Sequence, residues 1–229
     1  MSGLLLGVGV GPGDPSMLTL KAVRAIASAD VLAYIAAPGR PSRARTIAAA
    51  HVPEGRAEIA VTMPMDGAGA ARDDAYRALV EAIGAALARN RTVAFLCEGD
   101  PMFHGSFLHV LARARADWRI EIVPGVSSVM AAAAACALPL AQGTDSLTVV
   151  PATAGEAVLR EAAARPGTVV ALKVGRQLDA VQRAMAAAGR LEAARLVVDL
   201  GGADERIGPL AEAIDAPYFS LVLAPGPCR

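Results

Sequence analysis

Two carboxylates and a histidine sit close together in Glu98-Gly99-Asp100-Pro101-Met102-Phe103-His104-Gly105-Ser106. Carboxylate and imidazole are the groups that carry protons in general acid–base catalysis, so Glu98, Asp100 and His104 are candidate catalytic residues. A solvated turn would carry the same acidic pair, with Asp100 holding its loop and His104 packing. Gly99 lets the backbone approach a ligand, and Pro101 stiffens the loop. A second candidate is the glycine-rich opening, Gly7-Val8-Gly9-Val10-Gly11-Pro12-Gly13-Asp14-Pro15. The dinucleotide fingerprint GxGxxG fails there in both registers, because Pro12 or Asp14 stands where the third glycine is needed. The phosphate loop fails too: no glycine–lysine–hydroxyl run follows, and the first lysine is Lys21. These glycines either permit a tight turn or bring the backbone against a ligand that is not a phosphate. Asp14 and Pro15 predict a helix start or a fixed turn. A third candidate is Arg40, Arg43 and Arg45 in a Pro/Gly/Ser-rich stretch. Guanidinium suits planar recognition of carboxylates, so these three are candidate clamps for an anionic substrate; a solvated basic loop is the other reading.

These groups need a scaffold. Leu4 to Val10, Asp30 to Ile35, Ala57 to Val61, Thr92 to Cys97 and Arg119 to Val123 are compact apolar runs bounded by turn residues, and read as strands. Between the third and fourth lies a helix from about Arg72 to Asn90. Its Tyr76, Leu79, Ile83 and Leu87 recur at helical spacing, with Arg72, Asp73, Arg77 and Glu81 for the wet side. Alternating strands and helices predict an α/β fold with a largely parallel sheet, whose ligands sit at the carboxyl ends of strands. The glycine-rich opening and the Glu98 loop both follow such ends.

The rhythm pauses at Pro124-Gly125-Val126-Ser127-Ser128, where serine can cap the alanine-rich helix that follows. A second series of strands is expected at Ser146 to Val150, Thr168 to Val174, Arg195 to Leu200 and Tyr218 to Ala224. The boundaries are therefore an N-terminal domain over 1–123, a linker over 124–128 and a C-terminal domain over 129–229, ending in a frayed Pro225-Gly226-Pro227.

Composition narrows the function classes. With 54% hydrophobic and 19% charged residues, the chain can bury a core and is not a disordered polymer. The net charge of +0 and the 3% aromatic content give neither the basic patch nor the stacking platforms of a nucleic-acid binder. The longest apolar stretch, Val126 to Leu140, is broken by Ser127, Ser128 and Pro139, short of the ~20 residues a membrane span needs. Met1-Ser2-Gly3 offers no basic n-region, so no secretory signal is read. Cys97, Cys136 and Cys228 form no CxxC pair, and His51, His104 and His109 lack metal-ligand spacing. A cytoplasmic protein with no metal of its own is expected.

Read together, three segments resemble the tetrapyrrole methylases. Gly9-Val10-Gly11-Pro12-Gly13-Asp14-Pro15, followed by Leu18-Thr19-Leu20-Lys21-Ala22 and Ala29-Asp30-Val31, resembles that family's N-terminal signature. Glu98-Gly99-Asp100-Pro101 resembles its mid-chain loop, and Ile122-Val123-Pro124-Gly125-Val126-Ser127-Ser128 the segment joining its two domains. Order and spacing match over nearly the whole chain. Cys97 to Phe107, Ala44-Arg45-Thr46-Ile47-Ala48, Leu172-Lys173-Val174-Gly175-Arg176 and Ala216-Pro217-Tyr218-Phe219-Ser220 resemble the members that methylate precorrin-2 at carbon 20. His104 departs from them, standing where they often show tyrosine, and Leu200 to Arg206 matches less closely.

The resemblance implies two α/β/α domains of the class III methyltransferase type, with the active site in the cleft between them. It implies S-adenosylmethionine as methyl donor, a tetrapyrrole substrate and a homodimer. By position it implies donor contacts at Pro12, Gly99, Asp100, Met102, Ser127, Ser128 and Lys173, with Gly201 and Tyr218 as further additions. Lys173 reads equally as a strand-end lysine reaching solvent. Gly11, Gly13 and Asp14 would face the tetrapyrrole, with Arg40, Arg43 and Arg45 on its carboxylates. A base must remove the meso proton unless water or a substrate carboxylate does so. Three other functions stay open: methylation of another ring carbon or of a cobalt-loaded substrate, methylation of a diphthine precursor on a protein, and non-catalytic nucleotide binding.

Overall fold

A computed structural model describes residues 3–64 and 69–226; Pro227 and Cys228 lie outside the described residues. The chain forms two compact units, divided between Ser127 and Ser128.

In the first unit the strands are β1 (Leu4–Gly9), β2 (Val31–Ala36), β3 (Ala57–Thr62), β4 (Thr92–Cys97) and β5 (Arg119–Val123). They form one sheet in the order β3-β2-β4-β1-β5, parallel at every pairing. Alternation along the strands sends successive side chains to opposite faces. Leu5, Val93, Phe95 and Cys97 pack under α3 (Gly69–Ala88) and α4 (Phe107–Leu111), through Tyr76, Leu79, Ile83, Phe107 and Val110. Leu6, Val8, Leu32, Ala94 and Leu96 pack under α1 (Leu20–Ser28) and α2 (Arg43–Ile47), through Ala22, Ile26, Ala44 and Ile47. Both faces are covered, which is why these strands read as nearly continuous apolar runs. The helical spacing from Tyr76 to Leu87 is borne out: all four residues are buried in α3. After that helix Asn90 takes the left-handed backbone (φ 60°), a conformation asparagine tolerates at a helix end.

The second unit holds β6 (Leu147–Pro151), β7 (Thr168–Leu172), β8 (Arg195–Val198), β9 (Arg206–Pro209) and β10 (Ser220–Ala224). Their order is β6-β7-β10-β8-β9. The parallel expectation fails here. Only β6 and β7 run parallel; β10 is antiparallel to β7 and β8, and β9 to β8. The chain returns from β8 to β9 through a turn over 199–205 with no helix, and so short a return forces an antiparallel neighbour. The helices are α5 (Ser128–Ala135), α6 (Glu156–Ala164) and α7 (Leu178–Ala187). Leu159, Val181 and Met185 join Val169, Ala171, Leu196 and Val222 in the core.

Candidate functional site

The carboxyl ends of β1, β4 and β5 place three loops side by side in the first unit. Gly11 and Gly99 form an antiparallel bridge, with Gly99 N–H donating to the Gly11 carbonyl at 2.8 Å and Gly11 N–H returning at 3.3 Å. Both have positive φ, 80° and 65°. A Cβ on Gly125 would stand 2.1 Å from the Gly99 carbonyl oxygen, and one on Gly9 would stand 2.6 Å from the Gly125 nitrogen. These glycines are thus needed so that backbone can meet backbone where the strands end. Asp100 fastens the same knot. Its Oδ2 accepts the Gly125 N–H at 3.0 Å and its Oδ1 the Met102 N–H at 2.8 Å. Thr19 caps α1, accepting the Ala22 N–H at 3.1 Å, while its hydroxyl reaches the Pro124 carbonyl at 3.5 Å. Asp14 caps a single turn over Pro15–Met17 by accepting the Ser16 N–H at 2.7 Å. The helix start expected at Asp14 and Pro15 is what forms, as one short 3-10 turn with Asp14 at its N-cap and Pro15 at its first position.

The three acid–base candidates have different surroundings. Burial pushes the Glu98 carboxyl above the ordinary carboxylate range; its own N–H, the Arg43 guanidinium and the Ala44 N–H oppose that shift. Asp100 is committed to two backbone N–H groups, as described. His104 is exposed, has left-handed backbone (φ 53°), and its ring meets Phe103 edge-on at 5.0 Å. Met102 and Phe103 are also exposed, so the loop presents an apolar tip to solvent.

The arginines separate in the same way. Arg43 turns inward: its Nε and Nη2 donate to the Pro12 carbonyl at 3.2 and 3.0 Å. Arg45 pairs with Glu58 at 2.9 Å, and Glu58 also accepts the Tyr34 hydroxyl. Arg40 is exposed. Pairing with residues 13 and 31 positions away cannot be read from a linear motif, which is why Glu58 and Pro12 were not foreseen as partners.

In the second unit, Lys173 follows β7 and Asp199 follows β8, both with left-handed backbone (φ 57° and 49°). Non-glycine residues held there store strain, and such strain clusters at functional sites. Between these strand ends runs the start of β10. The Val174 N–H donates to the Ser220 carbonyl at 3.3 Å, and the Asp199 N–H to the Phe219 carbonyl at 2.8 Å. Tyr218 and Phe219 are exposed and meet edge-on at 5.2 Å. Gly201 (φ 71°) donates its N–H to Glu205 at 2.6 Å. Ser128 opens α5. Within each unit, then, residues expected at the site gather at or beside strand carboxyl ends: Gly11, Pro12, Gly99 and Asp100 in the first, and in the second Lys173 after β7 and Tyr218 just before β10.

A first carboxyl-end loop built from main-chain groups, with its nearby guanidinium turned inward, suits a ligand that is not a phosphate. Comparison with known proteins shows the family. The sequence model of the Tetrapyrrole (Corrin/Porphyrin) Methylases matches residues 4–214. The chain belongs to this family. A Precorrin-2 C(20)-methyltransferase of Sinorhizobium sp. is 42% identical over 98% of this chain and 96% of its own length. A Cobalt-precorrin-2 C(20)-methyltransferase of Salmonella typhimurium is 31% identical over 97% of this chain and 96% of its own. The crystal structure of a Uroporphyrin-III C-methyl transferase from Thermus thermophilus, complexed with S-adenyl homocysteine, shares the fold with a TM-score of 0.69 at 26% identity, covering 97% of each chain. Among the described residues of this tetrapyrrole methylase, no helix is long and apolar enough to cross a membrane.

Proposed function

We propose that this protein transfers the methyl group of S-adenosylmethionine to carbon 20 of precorrin-2, giving precorrin-3A in cobalamin formation. The observation that carries this reading is the 42% identity, end to end, with the Sinorhizobium enzyme of that name. We assign the donor to Pro12, Gly99, Asp100, Met102 and Ser127 in the first unit and Ser128, Lys173, Gly201 and Tyr218 in the second. Neither first-unit segment, Gly11 to Asp14 nor Glu98 to Ser106, carries a lysine or arginine, which suits a sulfonium better than a phosphate. When bound, S-adenosylmethionine supplies an activated methyl group that passes to the nucleophilic ring carbon while the C–S electron pair returns to sulfur.

The chain's part is alignment and proton removal. Holding the two reactants in line lowers the barrier by about 7–11 kcal/mol. Of the three acid–base candidates, Glu98 has its carboxyl raised by burial, and Asp100 is bound to Gly125 and Met102. His104, exposed in the same loop, is assigned as the base that takes the meso proton. Arg40 is assigned to a substrate carboxylate, and Gly11 and Gly13 to the ring face. The Salmonella relative supports a second reading, in which the substrate carries cobalt. By analogy with the family, the enzyme is placed in the cytoplasm as a homodimer.

The test is calorimetry followed by turnover. Binding of S-adenosylhomocysteine, with no binding of NAD or ATP, is expected. Transfer of labelled methyl into precorrin-2 is expected to outpace transfer into its cobalt form. Binding of NAD or ATP instead, without S-adenosylhomocysteine, would favour a nucleotide-binding protein of another class.

A further inference from the structure

Arg43 stands at the first position of α2, a helix held in the core by Ala44 and Ile47 beside Val8, Val10 and Leu96. Its location is therefore fixed by packing and not by a flexible loop. From there the guanidinium sends two N–H groups to one acceptor, the Pro12 carbonyl, at 3.2 and 3.0 Å. Pro12 directly follows Gly11, which bridges to Gly99 in the loop after β4. Pro12 and Gly99 thus lie on two loops that are joined to each other by backbone, and the first of them is joined to α2 by Arg43.

We propose that Arg43 forms an internal strut between α2 and the loop bearing Pro12, so that it is a positioning residue for the methyl donor and not a clamp on substrate carboxylates. This rests on the reading that the loops bearing Pro12 and Gly99 hold S-adenosylmethionine. The fork of guanidinium nitrogens matters, because an ammonium is a point donor that cannot hold the Pro12 carbonyl through two nitrogens. Arg43 acts through the height of the Pro12 loop; it does not touch the reacting atoms.

The experiment compares the intact enzyme with Arg43→Ala and Arg43→Lys. Calorimetry gives S-adenosylhomocysteine affinity, and kinetics at saturating donor give the tetrapyrrole KM. Losing hydrogen bonds from a charged donor predicts that Arg43→Ala weakens S-adenosylhomocysteine binding by about 10- to 100-fold. Arg43→Lys should recover part of that loss, with the tetrapyrrole KM unchanged. A raised tetrapyrrole KM with undiminished S-adenosylhomocysteine affinity would overturn the strut and restore the clamp. Wild type that fails to bind S-adenosylhomocysteine would instead overturn the functional reading beneath it, a distinct outcome.

Discussion

The Asp100 carboxylate accepts the backbone N–H of Gly125 at 3.0 Å, tying the loop after β4 to the one after β5. Its other oxygen takes the Met102 N–H, so neither is idle. The same residue is assigned to the donor site. Replacing Asp100 by alanine should therefore weaken S-adenosylhomocysteine binding by about 10- to 100-fold, the value of hydrogen bonds to a charged group. Asp100→Asn keeps one acceptor oxygen and should lose less. Calorimetry checks both, and an Asp100→Ala protein that binds as tightly as wild type would contradict the role.

Gly125 makes a sharper steric test. A methyl group there would fall 2.1 Å from the Gly99 carbonyl oxygen, against backbone that cannot swing aside. Gly125→Ala should cost about 1–3 kcal/mol or more in unfolding free energy, as overpacking does. Gly208, in β9, has nothing within 4 Å of an added Cβ. Gly208→Ala should stay within about 0.5 kcal/mol of wild type. Urea unfolding of the pair reads the contrast, and equal losses would refute the close approach of the loops.

If His104 takes the meso proton, His104→Ala should lower kcat by about 10²–10⁴, the usual contribution of a positioned base. S-adenosylhomocysteine affinity should hold, and added imidazole should restore part of the rate. An unchanged kcat would leave proton removal to water or to a substrate carboxylate.

Away from the site, Glu156 joins α6 to α7. It accepts from Arg183 at 2.7 Å and from Arg160 at 2.8 Å. Those two guanidiniums, Arg183 first, bring its carboxyl from 4.5 down to about 2. A carboxylate depressed on folding stabilises above its unfolded pKa, and the effect is lost as pH falls through the folded value. Wild type should thus be more stable than Glu156→Gln above about pH 4.5, with the gap closing toward about pH 2. The pair is exposed, so added salt should shrink the gap as well. Denaturation midpoints across this range decide it; a gap that persists at the acid end would contradict the ion pairs.

Much of the first unit was legible in the sequence. Leu4–Gly9 and Thr92–Cys97 are buried on both faces and flanked by turn residues, so their apolar runs point to parallel strands. In the second unit β9 escaped notice. Arg206–Pro209 is a mostly exposed edge strand containing glycine and proline, with no apolar run to betray it. The sheet's direction was hidden for a related reason: β10, last in the chain, inserts between β7 and β8, and no local pattern records that choice. The glycines and Asp100 stood out through their resemblance to the family's segments, since the spacing templates failed there. Arg43 and Arg45 showed only their charge; Pro12 and Glu58 became visible as their partners once α2 was docked.

The most direct test uses S-adenosylmethionine labelled with carbon-13 in its methyl group. After incubation with precorrin-2, the product's NMR spectrum should place the label on carbon 20 and nowhere else on the ring. Label on a different carbon, or a tetrapyrrole recovered without label, would contradict the assignment.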